Sequence, residues 1–294
     1  MKNWLPAATA ARKHLGLAIL ISALLAGWGC SRSPSSSMRV VIKGSDTMVQ
    51  VMSNLAEAYS GMHPQARIAV TGGGSGTGIA ALLNGTTDIC AASRPLLAEE
   101  LHRAESLNIH PQTTVIGRDG VSIIVNNSNP VSELTIDQIK KIYTGEYTNW
   151  QHVGGADEPI LVLARDNSSG TFLYFQEHVM GKADYRKALL VLPSNSAVTR
   201  AVGEDATTIG YAGLAYAVHA SVKLLRIKAA TDSTAYLPSQ ETVDNGHYPL
   251  SRPLMLITNG ASGGEAQKFI AFCLSEAGQK IVTETGYVTV PRQP

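Results

Sequence analysis

No lysine occurs between Lys43 and Lys140, and that gap removes one class of nucleotide hydrolase. A phosphate loop needs Gly-Lys-Ser/Thr after four intervening residues, and the glycine-rich run Gly72-Gly73-Gly74-Ser75-Gly76-Thr77-Gly78 has no lysine. The run also lacks a dinucleotide fingerprint, which needs glycine at the first, third and sixth places; Gly72 and Gly74 are followed by Thr77. A serine nucleophile elbow is missing as well. Ser75 has Gly73 two residues before it but Thr77 two after, and Ser169 has neither glycine. Cysteine is scarce, at 3 in 294 residues, and Cys30, Cys90 and Cys273 lie too far apart for a metal-ligating pattern. The histidines at 63, 102, 110, 152, 178, 219 and 247 show no paired metal spacing and read as surface or loop residues. Neither sign of charge dominates. With 24 Lys+Arg against 23 Asp+Glu the formal net charge is +1, so nothing recruits nucleic acid.

What is present describes a globular chain with an N-terminal address. Hydrophobic residues make up 44% and charged residues 16%, enough to bury a core in two domains of ordinary size. Lys2, Arg12 and Lys13 precede an apolar stretch from Leu15 to Trp28, followed by Gly29-Cys30. Residues 1–29 read as an export signal, too short and glycine-rich for a membrane span of about 20 residues. Cys30 resembles the lipid-acceptor cysteine of bacterial lipoproteins, although Gly27 and Trp28 stand where that motif has a leucine and a small residue. Residues 30–37 are then an anchor cysteine and a polar tether. Removing 1–29 leaves 21 basic against 23 acidic groups, so an anionic ligand must be captured by local donors rather than by a global field. Cys90 and Cys273 sit among apolar residues and read as buried thiols; export makes a disulfide chemically possible if their Cα atoms come within about 7 Å.

The folded part begins near Met38 and repeats one device. Gly44-Ser45-Asp46-Thr47, then Gly72 to Gly78, then Arg165-Asp166-Asn167-Ser168-Ser169-Gly170-Thr171 each lead from a predicted strand into a predicted helix. The first turn of a helix has unpaired N–H groups and the positive end of the dipole, and serine or threonine adds neutral donors. The strands are Arg39–Lys43, Ala66–Thr71, Asp88–Ala92, Val121–Val125, Ile160–Ala164, Ile209–Ala212 and Leu254–Ile257. Helices are expected from Met48 to Tyr59, Ile79 to Leu83, Leu134 to Tyr143, Gly170 to Met180 and Ser194 to Val202, with two more in Glu265–Thr285 and a loop near 230–247. Alternating strands and helices predict parallel sheets with ligands at strand carboxyl ends. Arg165 closes one strand four residues before Ser169, and Arg94 closes another. Both are candidates for a planar cationic grip on an anion.

In combination these residues resemble the phosphate-binding proteins of bacterial phosphate ABC transporters, in the type II periplasmic binding protein family. The resemblance runs from Val41 to Val290 and rests on Gly44-Ser45-Asp46-Thr47, Gly72 to Gly78, Ala92-Ser93-Arg94-Pro95, Ile142-Tyr143-Thr144-Gly145 with Thr148-Asn149-Trp150, and Arg165 with Ser169-Gly170-Thr171. It implies an α/β fold of two lobes, each a central sheet flanked by helices, with the ligand cleft between them. Lobe I would be 38–118 with 250–294, and lobe II 119–249. It implies a non-catalytic monomer in the periplasm or on the outer face of the cell membrane, with no cofactor or metal, that hands inorganic phosphate to an inner-membrane ABC permease and its ATPase. The implied phosphate-binding residues are Ser45, Thr47, Met48, Ser75, Ser93, Arg94, Arg165, Ser169, Gly170 and Thr171. Well-studied members place an aspartate where this chain has Arg94; Asp46 and Asp166 are the nearby acids here. The alternatives are another tetrahedral oxyanion (sulfate, tungstate or molybdate), a phosphate-sensing surface protein without transport, and a phosphohydrolase.

Overall fold

A computed structural model describes residues 1, 38–260 and 263–291. Met1 apart, the export signal, Cys30 and the tether lie outside the described residues. The strands are β1 (Met38–Gly44), β2 (Ala66–Thr71), β3 (Ile89–Ala92), β4 (Pro111–Val125), β5 (Glu133–Thr135), β6 (Leu161–Arg165), β7 (Leu190–Leu192), β8 (Thr208–Gly213), β9 (Lys223–Leu224), β10 (Arg226–Lys228) and β11 (Ser251–Asn259). A nine-stranded sheet runs β2-β1-β3-β11-β4-β8-β6-β7 with β9 also on β4, and β5 pairs with β10 apart from it.

In the first half of the sheet β1 lies between β2 and β3, parallel to both, as helix crossovers require. The Val49–Met62 helix buries Val51, Met52, Leu55, Ala56 and Tyr59, a stripe at three- and four-residue spacing. It packs with Ile42, Leu256 and Phe269 in one core, where each buried large apolar side chain contributes about 1.5–3 kcal/mol. The Gly264–Leu274 helix joins the same core through Phe269, Ile270 and Cys273. In the second half, Ile139, Ile142 and Tyr143 pack with Trp150, Phe175 and Tyr211 against Val121, Ile123 and Val125. This is the two-lobed α/β architecture expected from the sequence.

β4 connects the halves. It is 15 residues long, about 50 Å at ~3.4 Å per residue. Its residues 111–120 pair with β11 and 121–125 with β8, antiparallel in both cases. The sequence pattern starts this strand at Val121; its earlier part is hidden by polar, solvent-facing residues such as Gln112 and Thr113. Leu134 was expected to open a helix but lies in β5. Thr135 caps the helix instead, its Oγ1 accepting from Gln138 N at 3.0 Å while Gln138 Oε1 accepts from Thr135 N at 2.9 Å. The expected loop at 230–247 contains a short helix, Gln240–Asp244, and the Ala98–Ser106 helix was not foreseen.

Cys90 and Cys273 are buried free thiols, in separate cores, and burial pushes the Cys90 thiol up to about 12. Among the described residues no helix is long and apolar enough to cross a membrane. β1, β2, β3 and β6 deliver their carboxyl ends to Ser45, Gly72, Ser93 and Asp166, so every cluster singled out in the sequence leaves a strand at its ligand-facing end.

Candidate anion-binding site

Gly44 ends β1 with φ +144°, and a Cβ there would lie 2.0 Å from Ala91 O, so only glycine permits this turn. The turn lets Ser45 N donate to Ala91 O at 2.7 Å and sets the Ser45 hydroxyl beside Ser93. Ser45 Oγ donates to Ser93 Oγ at 2.9 Å, Ser93 N donates to Ser75 Oγ at 3.1 Å, and the Ser75 and Ser93 hydroxyls are 3.3 Å apart. Ser75 is the first residue of the Ser75–Leu83 helix. The three serines are buried and come from the ends of three strands of the first half of the sheet.

The second half meets them directly. Ser169 caps the Gly170–His178 helix, its Oγ accepting from Thr171 N at 3.2 Å and Phe172 N at 3.4 Å. Gly170 lies against the serines so closely that a Cβ on it would be 2.3 Å from Ser75 Oγ and 2.7 Å from Ser93 Oγ. Thr171 Oγ1 is 3.2 Å from Thr47 Oγ1. Gly76 N donates to Ser168 O at 2.9 Å, and Ser168 Oγ donates to Gly73 O at 3.0 Å. Thr47 Oγ1 accepts from Arg252 Nη2 at 3.1 Å and from Asn195 Nδ2 at 3.4 Å. A hydroxyl has two acceptor sites and one donor, so what Thr47 has left to give is its proton.

Three arginines surround these hydroxyls, each with a carboxylate. Arg94 forms a fork with Glu100, Nη1 to Oε2 and Nη2 to Oε1 at 2.7 Å each, and Nη1 also donates to Pro95 O at 2.8 Å. The same Glu100 accepts from Leu97 N at 2.8 Å, which fastens the start of the Ala98–Ser106 helix. Arg252 pairs with Asp119 at 2.9 Å, both side chains 0% exposed. Burial raises the Asp119 pKa, and Arg252 opposes that shift.

Arg165 is held most loosely. Its Nη2 donates to Pro193 O at 2.9 Å, and its Nη1 lies 3.3 Å from Asp46 Oδ2, a carboxylate already taken by Asn195 N at 2.8 Å and Asn195 Nδ2 at 2.6 Å. Its Nε and Nη1 are buried without a hydrogen-bond partner. A buried unsatisfied donor costs about 1–3 kcal/mol, more on a charged group. Burial pushes the Arg165 pKa down, and Asp46 partly restores it. The site therefore presents buried hydroxyls and an under-satisfied guanidinium, suited to an oxyanion that accepts from all of them.

Of the residues the sequence singled out, the structure gathers Ser45, Thr47, Ser75, Ser93, Arg165, Ser169, Gly170 and Thr171 at one place. Met48 is adjacent, but its N–H donates to Ser45 O at 3.0 Å and its side chain belongs to the core. Arg94 is beside the group with both Nη atoms committed to Glu100 and Pro95. Asp166 Oδ1 accepts from Ser168 N at 2.9 Å, capping the loop. Three participants were missed: Asn195, Asp119 and Arg252. Asn195 carried a usable signal, since Ser194-Asn195-Ser196 repeats the polar entry into a helix seen in the other clusters. Arg252 opens an apolar strand in the same Ser-Arg-Pro order as Ser93-Arg94-Pro95. Asp119 had no local signal, because its partner is 133 residues away.

Residues 31–277 match the PBP superfamily domain, and the chain is 33% identical over 258 residues to the phosphate-binding protein PstS of Staphylococcus haemolyticus, covering 85% of this chain and 81% of that one. The chain belongs to the PstS family. Two solved structures agree. A substrate-binding protein of Clostridium perfringens with bound phosphate superposes with a TM-score of 0.78 at 34% identity, covering 86% of this chain and all of that one. An ABC-type phosphate transport receptor of Vibrio cholerae gives 0.70 at 34% identity, covering 85% of this chain and all of the receptor. PstS membership and the two-lobed fold thus rest on whole-length similarity, independently of the site geometry.

Proposed function

We propose that this chain binds inorganic phosphate in the cleft between its lobes and, as the extracytoplasmic substrate-binding component of an ABC importer, delivers it to a membrane permease with its ATPase. The observation that carries the reading is the buried Arg165 guanidinium, with two nitrogens lacking a hydrogen-bond partner, beside hydroxyls from both halves of the sheet. The PstS relatives supply the transport context. We assign the lobes to 38–118 with 250–294 and to 119–249; β4 changes partner two residues beyond the first of these limits, between Gly120 and Val121. We further propose export by residues 1–29 and lipid anchoring through Cys30. The hydroxyls of Ser45, Thr47, Ser75, Ser93, Ser169 and Thr171 have partners that are hydroxyls, amides or a guanidinium. A serine paired with a base would argue for hydrolysis; this arrangement favours binding.

Isothermal titration of the mature chain, residues 30–294, with phosphate, sulfate, tungstate and molybdate is the deciding measurement. Saturable heat with phosphate at micromolar protein is the expected result; heat with sulfate and none with phosphate would overturn the assignment. Arg94→Ala has a separate outcome. Because Arg94 fastens Glu100 and the loop, the substitution is expected to weaken phosphate binding by less than about 10-fold while lowering stability by about 1–3 kcal/mol. Titration and thermal melting of the same variant check both numbers, and a loss matching that of Arg165→Ala would put Arg94 on the anion.

A further inference from the structure

We propose that Arg252, held by Asp119, is a second phosphate-binding cation in the cleft and favours the doubly charged form of the ligand. The inference rests on the phosphate reading above. Arg252 and Asp119 face each other across β11 and β4, close to the point where β4 passes from one half to the other. Nε and Nη2 donate to Asp119 Oδ2 at 3.2 and 2.9 Å, so one edge of the guanidinium is spent on the carboxylate. The second hydrogen of Nη2 goes to Thr47 Oγ1 at 3.1 Å. Nη1, off that edge, is buried with no hydrogen-bond partner.

Buried polar groups are generally satisfied, and this nitrogen is not. Here the unsatisfied amino group shares its guanidinium with the nitrogen that touches Thr47. An oxyanion at Thr47 is therefore within reach of Nη1 as well. The charge pattern agrees: the positive charge of Arg252 is among the influences that disfavour protonated Arg165, so the two guanidiniums lie in each other's field. An anion between them relieves that repulsion, and a dianion relieves it more than a monoanion. Arg252 also acts through Thr47, filling one of its acceptor sites and leaving the hydroxyl to donate. Asp119 neutralises the arginine between ligands, so it is a positioning residue.

The test is phosphate titration at pH values on either side of the second ionisation of phosphate, using the mature chain, Arg252→Lys, and the double variant Arg252→Gln/Asp119→Asn. The double variant removes the carboxylate that a single substitution would strand. The unsubstituted protein is expected to bind more tightly as phosphate loses its second proton. The double variant should bind about 100-fold more weakly at the higher pH, with a flattened pH dependence. Arg252→Lys keeps a charge opposite Asp119 but cannot reproduce the planar fork, and should lose about 10-fold with the pH dependence retained. If either variant, folded by circular dichroism, binds within about threefold of the unsubstituted protein with the same pH dependence, Arg252 is structural only and the inference fails while the phosphate reading stands. No phosphate heat from the unsubstituted protein would bring down the phosphate reading itself.

Discussion

Arg165→Ala should cost the protein about 1,000-fold in phosphate affinity with little loss of fold. Two buried nitrogens on this side chain have no hydrogen-bond partner, and a hydrogen bond to a charged group contributes about 1.5–3 kcal/mol. Two such bonds correspond to roughly 10²- to 10⁴-fold. The fold is spared because Asp46, the carboxylate that would be left behind, keeps both bonds from Asn195, at 2.8 and 2.6 Å, and is 20% exposed. Arg165→Lys should not restore binding, since an ammonium offers a point charge where the site presents a planar fork. The measurement is calorimetric titration of both variants against a melting curve taken without ligand. A variant that binds within about 10-fold of the unsubstituted protein would remove Arg165 from the ligand shell.

Gly170→Ala should separate binding from stability in a different way. Its methyl group would meet Ser75 Oγ at 2.3 Å, Ser93 Oγ at 2.7 Å and Ser75 Cβ at 3.0 Å. Those hydroxyls cannot retreat freely, because Ser75 accepts from Ser93 N at 3.1 Å and Ser93 accepts from Ser45 at 2.9 Å. Gly170 is not among the glycines with positive φ, and it begins a helix, where alanine is better than glycine by up to about 1 kcal/mol. With the halves apart the substitution should therefore be neutral or slightly stabilising. The cost falls on bringing the halves together, and overpacking of about 1–3 kcal/mol corresponds to a loss of about 10- to 100-fold in affinity. The clearest readout is the rise in melting temperature on adding phosphate, which should shrink in the variant. An undiminished rise would mean that the ligand-bound cleft does not draw Gly170 against the serines.

The clusters were legible because they are local: a strand end, a turn residue and a cap within a few positions of one another. Gly44, Ser75 and Ser169 could be placed from the chain alone, since each occupies the boundary between a period of two and a period of 3.6. Family resemblance then narrowed a generic anion site to phosphate, which the residues alone did not do. The Arg252–Asp119 pair was not legible, because it depends on two strands meeting at a sequence separation of 133. Arg94 was legible as a residue but not in its partner, since Glu100 reads as an ordinary acid in the first turn of a helix. Met48 was misleading for a related reason: an N–H at a helix start looks available until a turn such as Ser45–Met48 uses it internally.

Strand β4 runs past the boundary between the halves as one extended element, and its pairing with β11 carries a register shift at Leu254/Met255. A connection of this kind behaves as a leaf spring. Separation of the halves would bend a short length of sheet and need not break its backbone ladder. The polar contacts from Gly76 to Ser168 and from Asp46 to Asn195 cross between the halves, and they would have to break before the sheet bends.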